Sequence, residues 1–147
     1  MRVVVQRTDG AELAIDGRAH SRTGAGLLVL FGTRRGDEEP SCVKLADKVV
    51  NLRIFEDEQG KMNLSALDIG AEIMIVSQFT LYADTRKGRR PAFTEAQEPE
   101  EAERLYERFV GLVRDSGLRV GTGKFGARMD IRFNNTGPVT IIIDHDL

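Results

Sequence analysis

The chain has 147 residues, of which 41% are hydrophobic and 30% charged, so it is long enough for one globular domain with a hydrophobic core. Its net charge of −2 argues against a protein held to nucleic acid by long-range charge, and any such contact must therefore be local. The single cysteine excludes an internal disulfide, and no apolar run is long enough for a signal peptide or a membrane span, so we expect a cytoplasmic protein.

The first half of the chain predicts strands around one helix. Apolar runs between polar and glycine-rich segments predict strands at residues 2–7, 11–15 and 26–32. A helix that begins near Pro40 follows, because proline and acidic residues are tolerated in a first helical turn. Its buried stripe is predicted at Val43, Ala46, Val49 and Val50. Residues 53–65 predict a hairpin.

The second half begins with another buried strand. Residues 73–76 form a short apolar run, and we expect the strand to continue to residue 82. Regular pairing would place Gln78, Thr80 and Tyr82 on one face and Ser77, Phe79 and Leu81 on the other. Residues 99–117 predict a second helix with an acidic start and Gly117 as its C-terminal cap. Three further strands are predicted at residues 119–122, 127–133 and 139–144.

These elements predict a mixed α/β fold for residues 1–147. We expect a compact, three-layer single domain with about eight strands and two helices. Two helices are too few to cover both faces of a large sheet, so we place both on one side, with a second sheet layer on the other.

Polar side chains stand at the tip of the strand that residues 73–76 begin. Buried polar groups such as Ser77 and Thr80 must be hydrogen-bonded or must face a cleft. A dense cationic loop follows, which suits a phosphate-bearing substrate; its basic residues are Arg86, Lys87, Arg89 and Arg90. The alternative is ordinary structure, with Thr80 as a strand former, Ser77 bonded to backbone and the loop solvated.

Two other segments are candidates for contact with a ligand. Residues 134–140 read as an Asn-rich turn with Gly137-Pro138, which is either a plain connection or a place where bare backbone carbonyls face a substrate's amino group. Residues 122–129 are glycine-rich and carry Phe125 and Met129, without the spacing of a phosphate-binding loop.

Familiar catalytic sets are missing from the sequence. The two histidines, His20 and His145, lie far in sequence from Ser77 and Thr80, so a Ser–His–Asp triad is not expected. One cysteine and no pair of histidines at ligand spacing leave no zinc site. We therefore predict no metal and no cofactor.

The segments SQFTLYADTRKGRRPAF, residues 77–93, and NNTGPVT, residues 134–140, closely resemble the D-aminoacyl-tRNA deacylase family, and the resemblance runs essentially end to end. It implies one deacylase domain over residues 1–147 that forms a symmetric homodimer without DNA or membrane partners. It also implies hydrolysis of the ester in D-aminoacyl-tRNA and in glycyl-tRNA mischarged on tRNA(Ala). That activity is a chiral proofreading step of translation that rejects L-aminoacyl-tRNA.

The resemblance also assigns roles to residues. Carried over by motif, the catalytic site residues are Ser77, Gln78, Phe79 and Thr80 of one subunit, with Gly137 and Pro138 reaching in from the other. Phe125 and Met129 match a segment beside the substrate's adenosine, and Arg7 matches an arginine that supports the Gly-Pro turn.

Several mechanisms stay open at this point. Thr80 has no apparent general base, so we expect Thr80 and Gln78 to position substrate while backbone N–H groups stabilise the oxyanion. The substrate's own 2′-hydroxyl would then orient or activate the water. Two other functions are a non-catalytic RNA-binding module and a general esterase that acts through Ser77 or Thr80.

Overall fold

The computed structural model describes residues 1–145 of the chain. These residues form eight strands, three α-helices and one 3-10 turn, joined by connecting segments. The strands are β1 (Arg2–Ile15), β2 (Arg18–Thr23), β3 (Gly26–Gly32), β4 (Phe55–Glu56), β5 (Met62–Leu64), β6 (Glu72–Ser77), β7 (Val120–Thr122) and β8 (Met129–Asp144). The helices are α1 (Glu39–Asn51), α2 (Ala66–Ile69) and α3 (Pro99–Asp115), and the 3-10 turn is Phe79–Tyr82.

β3 and β6 form the parallel centre of the main sheet. They pair in register from Gly26 opposite Glu72 to Phe31 opposite Ser77. Most of their residues are buried, because layers of structure cover both faces of the pair. The predicted central strand at residues 26–32 and the buried run at residues 73–76 are both confirmed.

β1 and β8 are long strands, and each of them runs through both halves of this sheet. The first part of β1 pairs with β3 and the second part with β2, while β8 runs antiparallel along both parts. The sheet therefore folds over on itself, and Leu13, Leu28 and Met74 pack between its halves. The two sheet layers that we predicted are thus two halves of one nearly closed, barrel-like sheet.

The outer face of the sheet is covered by α1 and α3. The rings of Phe31 on β3 and Phe109 on α3 stack with their centroids 4.6 Å apart. Glu39 at the start of α1 accepts hydrogen bonds from Arg104 and Arg108 of α3, at 3.1 and 2.7 Å. Both helices therefore lie on one side of the sheet, as predicted.

The helix predictions need two corrections. The chain has a third helix, α2, which is too short to show a periodic pattern and is held by a reciprocal cap between Ser65 and Asp68. In α1, Val43 is 45% exposed and does not belong to the buried stripe. The buried residues of α1 are Cys42, Leu45, Ala46, Val49 and Val50.

The strand predictions also need correction. β2 was not predicted, because the sequence RAHSRT is polar and mostly exposed along a sheet edge. The predicted strands at residues 127–133 and 139–144 are parts of one strand, β8, which stays paired with β1 on both sides of a bulge. The hairpin at residues 53–65 is confirmed as β4 and β5.

A membrane span is not found in the described part of the chain. None of the helices within residues 1–145 combines the length and the apolarity that crossing a bilayer requires.

Candidate active site

β6 ends at Ser77 because β3, its partner strand on one side, ends beside it at Gly32. The last hydrogen bond between them runs from the Gln78 N–H to the Phe31 carbonyl, at 2.7 Å. A Cβ at Gly32 would lie 2.8 Å from the Gln78 carbonyl oxygen, so the chain approaches β3 closely there. It then forms the 3-10 turn Phe79–Tyr82, and the predicted alternation of side chains along a continuing strand is wrong.

A cavity of about 270 Å³ opens at this strand end. One wall is formed by Ser77, Gln78 and Phe79, and the opposite wall includes Phe125 and Met129 from the segment between β7 and β8. The structure thus brings together two of the segments that the sequence marked as candidates, although nearly fifty residues separate them. Their combination of apolar rings with a few polar groups is typical of a small-molecule pocket.

Among the described residues, the polar side chains of the cavity form no nucleophile–base pair. Gln78 donates a hydrogen bond from its side-chain amide to the Thr80 hydroxyl, and Thr80 itself is exposed outside the cavity. His20 lies in β2 and His145 follows β8, and neither lines the cavity. The thiol of Cys42 is buried between α1 and α3, where desolvation raises its pKa to about 11. Within residues 1–145 no three His, Cys, Asp or Glu side chains are grouped to hold a metal ion.

Gly137 and Pro138 lie on a bulge of β8 and not in the cavity of their own chain. Gln6 of β1 is opposite Thr140 and Thr8 is opposite Asn135, so β8 has extra residues between these two pairs. The Gly137–Pro138 peptide bond is cis, the conformation that the resemblance implies. Both residues are exposed, so the bulge projects from the surface of the single chain.

Two side chains hold the bulge in place. Arg7, largely buried, donates to the carbonyls of Thr136 at 3.0 Å and Ile54 at 2.7 Å. The Asn135 side chain accepts from the Val139 N–H at 2.7 Å and donates to the Thr140 hydroxyl at 2.9 Å. The contact between Arg7 and the turn agrees with what the resemblance implies, whereas nothing in the sequence pattern singled out Asn135.

The cationic loop is a small closed loop beside the cavity. Backbone hydrogen bonds of 2.7 and 2.9 Å join Asp84 and Ala92 at its base. Arg86 binds the Asp84 carboxylate with both Nε and Nη2, at 2.9 and 2.7 Å, and these bonds lower the pKa of Asp84 to about 2. Arg86 therefore stabilises the loop.

The other three basic residues of this loop point to solvent. Lys87, Arg89 and Arg90 are exposed, and none of them forms an ion pair within the described chain. After the loop, the ring of Phe93 meets the ring of Phe79 edge-on, with centroids 5.0 Å apart. Phe93, three residues after Arg90, therefore contacts the cavity wall at Phe79.

Tyr106 is a cavity residue that sequence reasoning missed. It was predicted only as part of the apolar face of the second helix, yet it lines the cavity and donates its hydroxyl to the Ile75 carbonyl at 2.8 Å. Burial raises its pKa to about 12, so the hydroxyl stays protonated. A tyrosine on an apolar helix face is the available signal, because its hydroxyl must find a partner when buried.

Comparison with known proteins assigns this arrangement to a family. Residues 4–144 match the family model described as D-Tyr-tRNA(Tyr) deacylase. The chain belongs to this family. It is 54% identical to a D-aminoacyl-tRNA deacylase of Aquifex aeolicus over 98% of this chain and 97% of that protein. It is 51% identical to a D-aminoacyl-tRNA deacylase of Bacillus velezensis over 98% of both chains.

Solved structures show the same fold. One titled c-Myc DNA Unwinding Element Binding Protein is 38% identical, with a TM-score of 0.93 and complete coverage of both chains. Another, titled as a probable eukaryotic D-amino acid tRNA deacylase, is 23% identical with a TM-score of 0.86 and shares the fold. The prediction of a hydrolase of the D-aminoacyl-tRNA deacylase family is therefore confirmed.

Proposed function

We propose that this chain hydrolyses the ester of D-aminoacyl-tRNA to a free D-amino acid and free tRNA. The observation that supports this most directly is the cavity built from the end of β6 and the segment around Phe125 and Met129. Its volume of about 270 Å³ lies near the lower end of ligand pockets, about 300–1,000 Å³. It therefore suits the aminoacyl end of a tRNA, with Phe125 and Met129 beside the terminal adenosine.

The body of the tRNA would lie over the cationic loop. Lys87, Arg89 and Arg90 are exposed, and the contact between Phe79 and Phe93 joins this loop to the cavity. An ester held in the cavity can thus be continuous with phosphates on the loop. Arg86 was predicted as a fourth phosphate contact, but its pairing with Asp84 gives it a supporting role in this proposal.

The chemistry needs water and an oxyanion site more than a protein nucleophile. Water adds to the ester carbonyl, the bond from that carbon to the ribose oxygen breaks, and the ribose oxygen leaves with a proton. Phe79 and Thr80 begin the 3-10 turn, where the first N–H groups have no partner within the turn and can donate to the oxyanion. The 2′-hydroxyl of the substrate orients or activates the water, and Gln78 with Thr80 positions the substrate.

The complete site in this proposal belongs to a homodimer. Gly137 and Pro138 are exposed and lie outside the cavity of their own chain, while Arg7 and Asn135 hold them in a fixed position. In a two-fold symmetric dimer, the bulge of each chain can enter the cavity of the other. Each chain would then supply its cavity to one site of the dimer and its bulge to the other.

Selection against L-aminoacyl-tRNA would come from steric exclusion of the L side chain. The backbone carbonyls of Gly137 and Pro138, presented on a rigid bulge, would leave no room for an L side chain. Glycine has no side chain to exclude, so glycyl-tRNA mischarged on tRNA(Ala) would also be hydrolysed. The activity would be a proofreading step of translation, and we place it in the cytoplasm.

A nucleic-acid-binding module without catalysis is the second candidate. The solved structure titled as a DNA unwinding element binding protein, together with the exposed cations, favours it. A general esterase that acts through Ser77 or Thr80 is disfavoured, because neither histidine lines the cavity.

One experiment separates these three functions. The chain is incubated with D-tyrosyl-tRNA, with L-tyrosyl-tRNA and with a simple activated ester, and hydrolysis of each is measured. We expect hydrolysis of the D substrate alone. Binding of tRNA without hydrolysis would favour the module, and comparable hydrolysis of all three would favour the esterase.

A further inference from the structure

The pairing between β6 and β7 stops where the cavity opens. The two strands are parallel, and their register runs from Ile73 opposite Val120 to Ile75 opposite Thr122. One hydrogen bond of this ladder runs from the Ile73 N–H to the Arg119 carbonyl, at 3.0 Å. Because ladder bonds alternate regularly between parallel strands, the next one after the register ends would join the Gly123 N–H to the Ile75 carbonyl.

The hydroxyl of Tyr106 stands between these two backbone groups. It donates to the Ile75 carbonyl at 2.8 Å, and the Gly123 backbone lies close to it, since both residues line the same neighbouring cavity. Tyr106 is 5% exposed and is carried by α3, so the helix inserts a polar atom into the edge of the sheet. The hydroxyl occupies the Ile75 carbonyl that the next ladder bond would use, and an oxygen placed there separates the strands by on the order of 2–3 Å more than a closed ladder.

Both walls of the cavity start immediately beyond this bridge. Ser77 lies two residues after Ile75, and Phe125 lies two residues after Gly123, and both line the cavity. The ring of Tyr106 also contacts the ring of Phe125, with centroids 6.2 Å apart. A Cβ at Gly123 would clash with the Sδ of Met129, so the spacing set at Gly123 also governs where Met129 lies.

We propose that Tyr106 is a positioning residue whose hydroxyl holds β6 and β7 apart and thereby sets the width of the substrate cavity. It touches neither the reacting ester nor the tRNA phosphates; it acts through Ser77, Phe125 and Met129. Without the hydroxyl, the Gly123 N–H and the Ile75 carbonyl can bond directly, and the cavity narrows. This inference rests on the proposed function, because it assigns the cavity to the aminoacyl end of the substrate.

The test is Tyr106→Phe, which keeps the ring and removes only the bridging atom. We expect the kcat/KM for D-tyrosyl-tRNA to fall at least about tenfold, equivalent to about 1.4 kcal/mol. The KM for D-tyrosyl-tRNA should rise at least fivefold, because a narrower cavity binds the terminal adenosine and its ester less well. KM does not depend on the fraction of folded enzyme, so a loss of stability alone would not change it.

Val113→Ala is the matched control. Val113 lies on the same helix and is fully buried, but it does not line the cavity. We expect it to lower the Tm and to leave the KM within twofold of the wild type.

A crystal structure of Tyr106→Phe provides a readout that does not depend on activity. The Gly123 nitrogen should move to hydrogen-bonding distance of the Ile75 oxygen, with a smaller cavity. An unchanged cavity, or a Tyr106→Phe variant whose KM for D-tyrosyl-tRNA stays within twofold of an active wild type, overturns the inference. A wild type that hydrolyses neither D substrate refutes the proposed function instead, and the crystal structure still decides the role of Tyr106.

Discussion

Gly137 has a backbone conformation that residues with a side chain rarely adopt. Its φ is 133°, and a Cβ there would lie 2.8 Å from the Cγ2 of Val139 and 2.9 Å from the Nη2 of Arg7. Gly137→Ala must therefore displace the bulge or the arginine that supports it. We expect kcat/KM for D-aminoacyl-tRNA to fall at least about tenfold, because the bulge forms part of the proposed site.

Gly17→Ala is the control for this substitution. Gly17 has a φ of 75°, and no atom of residues 1–145 lies within 4 Å of a Cβ built there. Alanine at Gly17 costs about 1–2 kcal/mol for this left-handed conformation, without the collision. Its stability should fall while its activity stays near that of the wild type, and full activity in Gly137→Ala would contradict the role of the bulge.

Substitution of the two histidines tests whether the reaction needs a histidine side chain, and a chelator tests whether it needs a metal. Neither His20 nor His145 lines the cavity, and no metal-holding group of side chains exists within residues 1–145. Activity should survive His20→Ala, His145→Ala and treatment with a chelator. A loss larger than about tenfold in any of these assays would refute a mechanism without histidine or metal.

At the scale of elements, the cationic loop is the part that binds the tRNA body in this account. Changing Lys87, Arg89 and Arg90 to Gln should weaken tRNA binding and reduce the slope of log affinity against log salt by about one unit for each lost phosphate contact. The control changes Arg18, Lys44 and Lys61 to Gln, three exposed cations away from the loop, and alters the net charge equally. Equal slopes in the two triple variants would show that the loop does not contact phosphate.

Element boundaries mark the limit of what the sequence predicts for this site. Residues 26–32 and 73–76 are recognisable as strands because they are continuously apolar. The end of β6 is set by the end of β3 at Gly32, which is a tertiary fact, so the apolar alternation after Ser77 falsely predicted a longer strand. Tyr106 was missed for a related reason, since a cavity-lining tyrosine and a core tyrosine give the same helical pattern.

At the scale of the whole molecule, the closure of the sheet was also beyond sequence reasoning. Four predicted strands are parts of β1 and β8, which bend through both halves of the barrel-like sheet. Pairing on both sides of the bulge makes β8 continuous, whereas the Asn-Gly-Pro composition of residues 134–138 is typical of a turn that ends a strand. The fold class follows from element order, but this continuity depends on contacts distant in sequence.

The proposed dimer makes a prediction about mixed subunits. Gln78→Ala damages the cavity and Gly137→Ala damages the bulge, so each variant alone should be nearly inactive. Random exchange of subunits gives one intact site in each heterodimer, so an equal mixture should recover about a quarter of the wild-type activity. Activity no greater than the mean of the two separate variants would place the complete site within a single chain.

Stereochemical preference is the property that this account explains as a whole. The direct measurement is kcat/KM for D-tyrosyl-tRNA and for L-tyrosyl-tRNA, prepared on the same tRNA and assayed with the same enzyme. We predict a ratio of at least about a hundredfold in favour of the D substrate, or about 2.7 kcal/mol. A ratio near one, or no hydrolysis of D-tyrosyl-tRNA by a folded enzyme that binds tRNA, would contradict the account.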